Sequence, residues 1–129
     1  MIAGRMKRLL WILLISAFVT HADDSVRMAT FRADATPPLG SPLCNGNVKP
    51  ATEIIQPLQA IGIVLVVPKQ APIVLCAVDW TGIGNDSNKA WRAALAKAAG
   101  TTPDRVAVHS LHQHDAPGCD FSAVKLLAD

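Results

Sequence analysis

Two apolar runs rich in β-branched residues, 60–67 (AIGIVLVV) and 72–79 (PIVLCAVD), stand only four residues apart, and that spacing narrows the folds open to the chain more than any other feature. The β-branched content and the flanking prolines mark both runs as strands. Pro68, Lys69, Gln70 and Ala71 leave room only for a tight connection, which favours an antiparallel hairpin. The almost unbroken apolarity implies that at least one of the two strands is covered on both faces.

The hydrophobic period then changes. Over residues 87–99 (SNKAWRAALAKAA), Ala90, Trp91, Ala94, Leu95 and Ala98 recur at three- and four-residue spacing, which places them on one face of a helix. Asp86 or Ser87 is positioned to cap its start, and Gly100 to supply a left-handed stop. A short strand at 105–109 (RVAVH) follows. Strand, helix and strand in that order make a βαβ unit, so the strands at 72–79 and 105–109 are expected to run parallel, joined by a right-handed crossover. Upstream, residues 26–35 (VRMATFRADA) alternate roughly between apolar and polar and read as a strand that Pro37 and Pro38 terminate. Residues 41–57, with Gly46, Pro50 and Pro57, read as loop. The expected architecture is α/β: a mixed sheet built from an N-terminal strand, a β-hairpin and a βαβ unit, forming part of a larger domain.

The first 22 residues belong to a different category. Arg5, Lys7 and Arg8 precede an apolar run of 11 residues at 9–19, and Thr20-His21-Ala22 ends in a small residue. Basic, apolar and small segments in that order form the arrangement of a secretory signal. The run is shorter than the roughly 20 residues needed to cross a bilayer as a helix, although an uncleaved anchor is the alternative. The reading divides the chain into a signal at 1–22 and an exported part at 23–129, periplasmic or secreted, with no stable membrane span after cleavage. The formal charge of +2 then loses its meaning, because removing the signal leaves nine basic against ten acidic side chains. Those bases are scattered, which disfavours a nucleic-acid partner. A hydrophobic content of 50% excludes disorder for most of the chain. Of the three cysteines, Cys76 lies within an apolar strand and reads as a small buried hydrophobe, whereas Cys44 and Cys119 fall in Gly/Pro-containing loops, and a disulfide between them depends on a distance that the sequence does not set.

Chemistry concentrates at one rim. In open α/β sheets, sites form beyond the carboxyl ends of the strands. Asp79 closes one of the parallel strands, and residues 110–115 (SLHQHD) follow the other. All three histidines beyond residue 22, His109, His112 and His114, lie within six residues. In an extended segment His112 and His114 project to the same side, where their imidazoles could share a metal ion, while His109, offset by an odd number, points elsewhere. Solvated loop histidines are the competing explanation. Asp79 and Asp115 are the acids placed to orient such imidazoles through hydrogen bonds, and for Asp79 the simpler role of a loop acid preceding a helix stays open.

The order of these segments resembles the N-terminal part of the neutral/alkaline non-lysosomal ceramidase family. Four landmarks carry the resemblance across residues 28–121. Asp34-Ala35-Thr36-Pro37-Pro38-Leu39-Gly40 is similar to the family's D-I-T-P-P-L-G turn, and Gln56-Pro57-Leu58-Gln59-Ala60 to its D-P-L-x-A segment. Residues 73–79 resemble its strand ending in an acid, and His112-Gln113-His114-Asp115-Ala116-Pro117 its H-T-H-S-G-P motif. Asp115 and Ala116 replace the family's Ser and Gly, and Gln56 replaces its acid. The resemblance implies zinc-dependent hydrolysis of an amide, with an N-acyl lipid as the substrate class, His112 and His114 as metal and catalytic residues, and Asp79 and Asp115 supporting them. Family members are several times longer and complete their zinc site with a distant His, a Glu and a Tyr, whereas this sequence contains no tyrosine. It is therefore expected to be an N-terminal portion of such a hydrolase, the alternative being a non-catalytic exported α/β fragment that binds no metal tightly. The export reading is checked by N-terminal sequencing of the secreted product, which is expected to begin at Asp23; a product beginning at Met1 would overturn it.

Overall fold

The computed structural model describes residues 24–126; the expected signal at 1–22 lies outside the described residues. Strand β1 (Arg27–Asp34) leads through a loop containing a 3-10 turn at Cys44–Gly46 to β2 (Gln59–Val66) and β3 (Ile73–Val78). A two-residue strand β4 (Gly82–Ile83) precedes helix α1 (Asn85–Ala99). Strand β5 (Val106–Ser110), a second two-residue strand β6 (Gly118–Cys119) and helix α2 (Phe121–Leu126) complete the order. The main sheet is mixed, in the order β1-β2-β3-β5, and β4 pairs with β6 in a small parallel ribbon.

The hairpin and the βαβ unit both form as the sequence pattern requires. β2 and β3 pair antiparallel with Gly62 opposite Cys76. β3 and β5 pair parallel from Val74↔Val106 to Val78↔Ser110, with α1 between them in the chain. One face of the sheet carries the core: Ala60, Val74, Cys76, Val78 and Val106 are buried and pack with Phe31, Trp91, Leu95 and Ala96. Burial pushes the Cys76 thiol pKa up, so it packs as an inert hydrophobe. Trp80 and Trp91 meet edge to face at 5.5 Å, and the Trp80 indole donates to the Ala35 carbonyl at 2.8 Å, tying the end of β1 to the end of β3.

Three expectations are corrected. α1 covers one face of the sheet only, so neither central strand is sandwiched among the described residues: Ile61 and Leu75, on the opposite face, remain 43% and 41% exposed. The buried stripe of α1 is rotated from the expected one. Ser87, Trp91, Leu95, Ala96 and Ala99 face inward while Ala90, Ala94 and Ala98 face solvent. Alanine serves either environment, and the stripe is set instead by Trp91 and by Arg92, whose guanidinium is held by the carbonyls of Pro103 and Val106. The helix also starts earlier, with Gly84 at the N-cap and no side-chain cap. Asp86 in the first turn instead pairs with Lys89 at 3.0 Å and Lys125 of α2 at 3.2 Å. Hydrogen bonds from these two lysines and from Ser122 lower its carboxyl pKa to about 2. The stop at Gly100 is as expected, with φ 65° and ψ 38°.

Gly62 has a packing reason that the sequence did not show. A Cβ there would stand 2.3 Å from the Phe31 ring and 2.5 Å from the Leu75 carbonyl oxygen, because the ring of Phe31, its partner across the β1–β2 ladder, lies over the bare backbone. Overpacking of this kind costs roughly 1–3 kcal/mol, and here one obstacle is backbone that cannot rotate away. Gly62→Ala is expected to lower the urea midpoint accordingly at unchanged m-value; an unaltered midpoint would show that β1 is not seated on β2 in this way.

Candidate functional site

Parallel pairing of β3 with β5 brings the ends of both strands to one rim, and the 111–117 loop folds back over it. Leu111 N–H donates to the Val78 carbonyl and His112 N–H to the Trp80 carbonyl, each at 3.0 Å. Thr81, 3% exposed, is the post around which the loop winds. Its N–H donates to the Pro117 carbonyl at 3.0 Å, and its hydroxyl faces the carbonyls of Gln113 and Ala116 at 2.7 and 2.8 Å. Ala116 is fully buried beneath it.

His112 and His114 are brought together, though not by an extended segment. The strand ends at Ser110, and His112 has a left-handed backbone with φ 62°, an uncommon conformation for a residue with a Cβ. The two rings nevertheless meet edge to face with centroids 5.4 Å apart. His112 Nδ1 lies 2.8 Å from the Thr81 carbonyl oxygen. That oxygen can only accept, so Nδ1 carries the proton, and the lone pair of the uncharged form lies on Nε2. A backbone carbonyl fixing one ring nitrogen while the other is left free is the arrangement that metal-binding imidazoles commonly use. His109 stays in β5, exposed and paired opposite Ala77 on the open face of the sheet, away from the other two.

The acids and Gln113 turn the other way. Asp79 Oδ2 accepts from Gln59 N–H at 2.9 Å, Asp79 N–H donates to the Gln59 carbonyl at 2.9 Å, and the Gln113 amide donates to the Asp79 carbonyl at 2.9 Å. Asp79, Gln113 and Asp115 border a cavity of about 690 Å³ whose other walls come from residues 36–58, including Leu39, Ile54 and Ile55. His112 and His114 do not line it. The loop therefore alternates, imidazoles to one side and Gln113 and Asp115 to the other. Thr36 braces the cavity wall: its hydroxyl accepts from Leu58 N–H at 2.9 Å, and its N–H donates to Asp34 at 2.8 Å. Hydrogen bonds from Thr36 hold the Asp34 carboxyl below its ordinary pKa.

The cysteines remain free thiols. The backbone N–H of Cys44 does bond to the Ala116 carbonyl, but a Cβ on Gly118 would meet the Asn45 side chain, and the next residue, Cys119, turns its thiol to Ser87 at 3.1 Å.

As a metal centre the donor set is partial. Two imidazoles, one with its tautomer fixed, suit zinc, but among the described residues no group of three or more His, Cys, Asp and Glu side chains assembles to hold an ion. Thr81 and Gln113, which organise the rim, carried no sequence signal: one is a threonine after a strand, the other the spacer between two histidines. No family model, curated protein or solved structure matches this chain.

The role of Thr81 is open to measurement. Thr81→Val keeps the shape but removes the hydroxyl proton that the Gln113 and Ala116 carbonyls share, the latter keeping only its bond from Cys44 N–H, which is expected to cost about 1–2 kcal/mol in chemical denaturation. It is also expected to shift the His112 ring nitrogens towards tautomer averaging in ¹⁵N NMR. An unchanged Nδ1–H form in the variant would show that the ring is held by something other than the Thr81-centred loop.

Proposed function

We propose that this chain supplies part of an exported, zinc-dependent amidohydrolase of the neutral ceramidase kind, acting on an amide bond such as that of an N-acyl lipid. The observation that carries the reading is the bond from His112 Nδ1 to the Thr81 carbonyl, 2.8 Å long, which leaves Nε2 available beside the His114 ring. The ordered landmarks around Pro37-Pro38, Pro57-Leu58, Asp79 and His112-Gln113-His114 support it from the sequence. His112 and His114 would hold the zinc, which would supply Lewis-acid activation of water and of the amide carbonyl.

The chain's own residues contribute orientation. Thr81 keeps the proton of His112 on Nδ1 and the loop closed, and the edge-to-face contact of His114 positions the second imidazole. A catalytic zinc generally takes three protein ligands and keeps one position open, so on this reading the remaining donors lie outside the described residues. A second reading, a non-catalytic exported α/β module, is favoured by the donor set of two.

Zinc titration of the 129-residue chain tests both. Weak binding, lost in His114→Ala and in His112→Asn, is expected, with no amidase turnover by the chain alone. The Asn variant retains a residue that tolerates the left-handed backbone. Zinc-dependent turnover by a longer gene product, abolished by the same substitutions, is the expected complement. Zinc binding unaffected by either variant would overturn the metal assignment, and chelator-sensitive turnover by the 129-residue chain would show that a complete site assembles from it.

A further inference from the structure

The cavity on the far side of the histidine loop has a chemical character of its own. Leu39, Ile54 and Ile55 line it while remaining 54%, 49% and 89% exposed. Single exposed apolar side chains need no explanation, but three around one concavity, backed by Pro37 and Pro38, form a patch of the kind that ligands cover. Its charges are unbalanced: Glu53, Asp79 and Asp115 line it against one base, Lys49. The floor is built before any ligand arrives, since Asp79 is clamped to Gln59 through Oδ2 and its own N–H, and Gln113 is bonded to the Asp79 carbonyl. Those bonds leave Asp79 Oδ1 and the whole Asp115 carboxylate without a hydrogen-bond or ion-pair partner among the described residues.

The geometry points to this cavity as a binding site for an organic cation with a hydrocarbon body, an alkylammonium whose charge lies against Asp79 and Asp115 and whose chain lies along Leu39, Ile54 and Ile55. A neutral apolar ligand would desolvate carboxylates and give nothing back, which is costly. An anionic amphiphile would bring like charge to them. An ammonium group offers three donors to the free carboxylate oxygens, and the chain covers apolar surface otherwise left to water. The site needs no metal, because His112 and His114 do not border it. Its failure is therefore separable from failure of the zinc reading.

Calorimetric titration of the full chain, freed of metal by chelator, with decylammonium, butylammonium and decanoate below their micelle concentrations tests the assignment. Saturable one-to-one binding of decylammonium is expected, with decanoate weaker by about tenfold. Butylammonium is expected to lose roughly fourfold per methylene removed from contact. Asp115→Asn, at an exposed position that does not carry the fold, is expected to weaken decylammonium about threefold to tenfold without weakening decanoate. Asp115→Lys is expected to reverse the preference. Equal affinities for decylammonium and decanoate, absence of decylammonium binding, or an Asp115→Asn variant that binds it as the parent does would each overturn the proposal.

Discussion

The parallel pairing of β3 with β5 is the constraint on which the rest depends. A parallel neighbour requires a crossover, the crossover is α1, and α1 supplies the hydrophobic layer that the sheet needs on one face. The same pairing sets Val78 opposite Ser110, so both chains leave the sheet at the same height. The arrangement of the histidine loop follows from that coincidence of endings. Thr81 and the 111–117 loop are close because their strands end together, and their mutual hydrogen bonds then convert proximity into a defined arrangement. An antiparallel partner for β3 would have carried the histidines to the opposite end of the sheet.

Much of this was legible in the sequence where a physical period exists. The hairpin and the βαβ unit are visible because β-branched runs and a helical repeat are local patterns, and residues 27–34, 59–66, 73–78, 85–99 and 106–110 took the states those patterns demand. The helix face was less legible because alanine carries little burial information: Ala94 and Ala96 look alike in the sequence, yet one faces water and the other is 2% exposed. That His112 and His114 lie together was legible, but the way they are brought together was not. His112 and His114 are indeed neighbours, but through a left-handed residue and a turn that no alternation rule anticipates. The clamp between Asp79 and Gln59 spans 20 residues and depends on hairpin register, information that arises only once the strands pair.

The division of labour within the 111–117 loop follows from its anchoring. Thr81 holds the backbone at Gln113 and Ala116, and Ala116 and Pro117 are buried, so the loop has little freedom to slide. Side chains that alternate along such a fixed segment serve two environments at once. The imidazoles and the acid of His112-Gln113-His114-Asp115 are thereby kept on separate surfaces, although they are adjacent in the chain. Asp115, which stands where the resembling motif carries serine, faces the cavity of about 690 Å³ and not an imidazole.

The sheet face left uncovered by the described residues has a thermal consequence. The heat-capacity increase on unfolding comes chiefly from apolar surface newly exposed to water. Met28, Ile61 and Leu75 are already 64%, 43% and 41% exposed in the folded chain, so their hydration changes less on unfolding than that of side chains held between two layers. A sheet covered on one side accordingly gives a shallower curve of stability against temperature than a sandwiched sheet of the same sequence length.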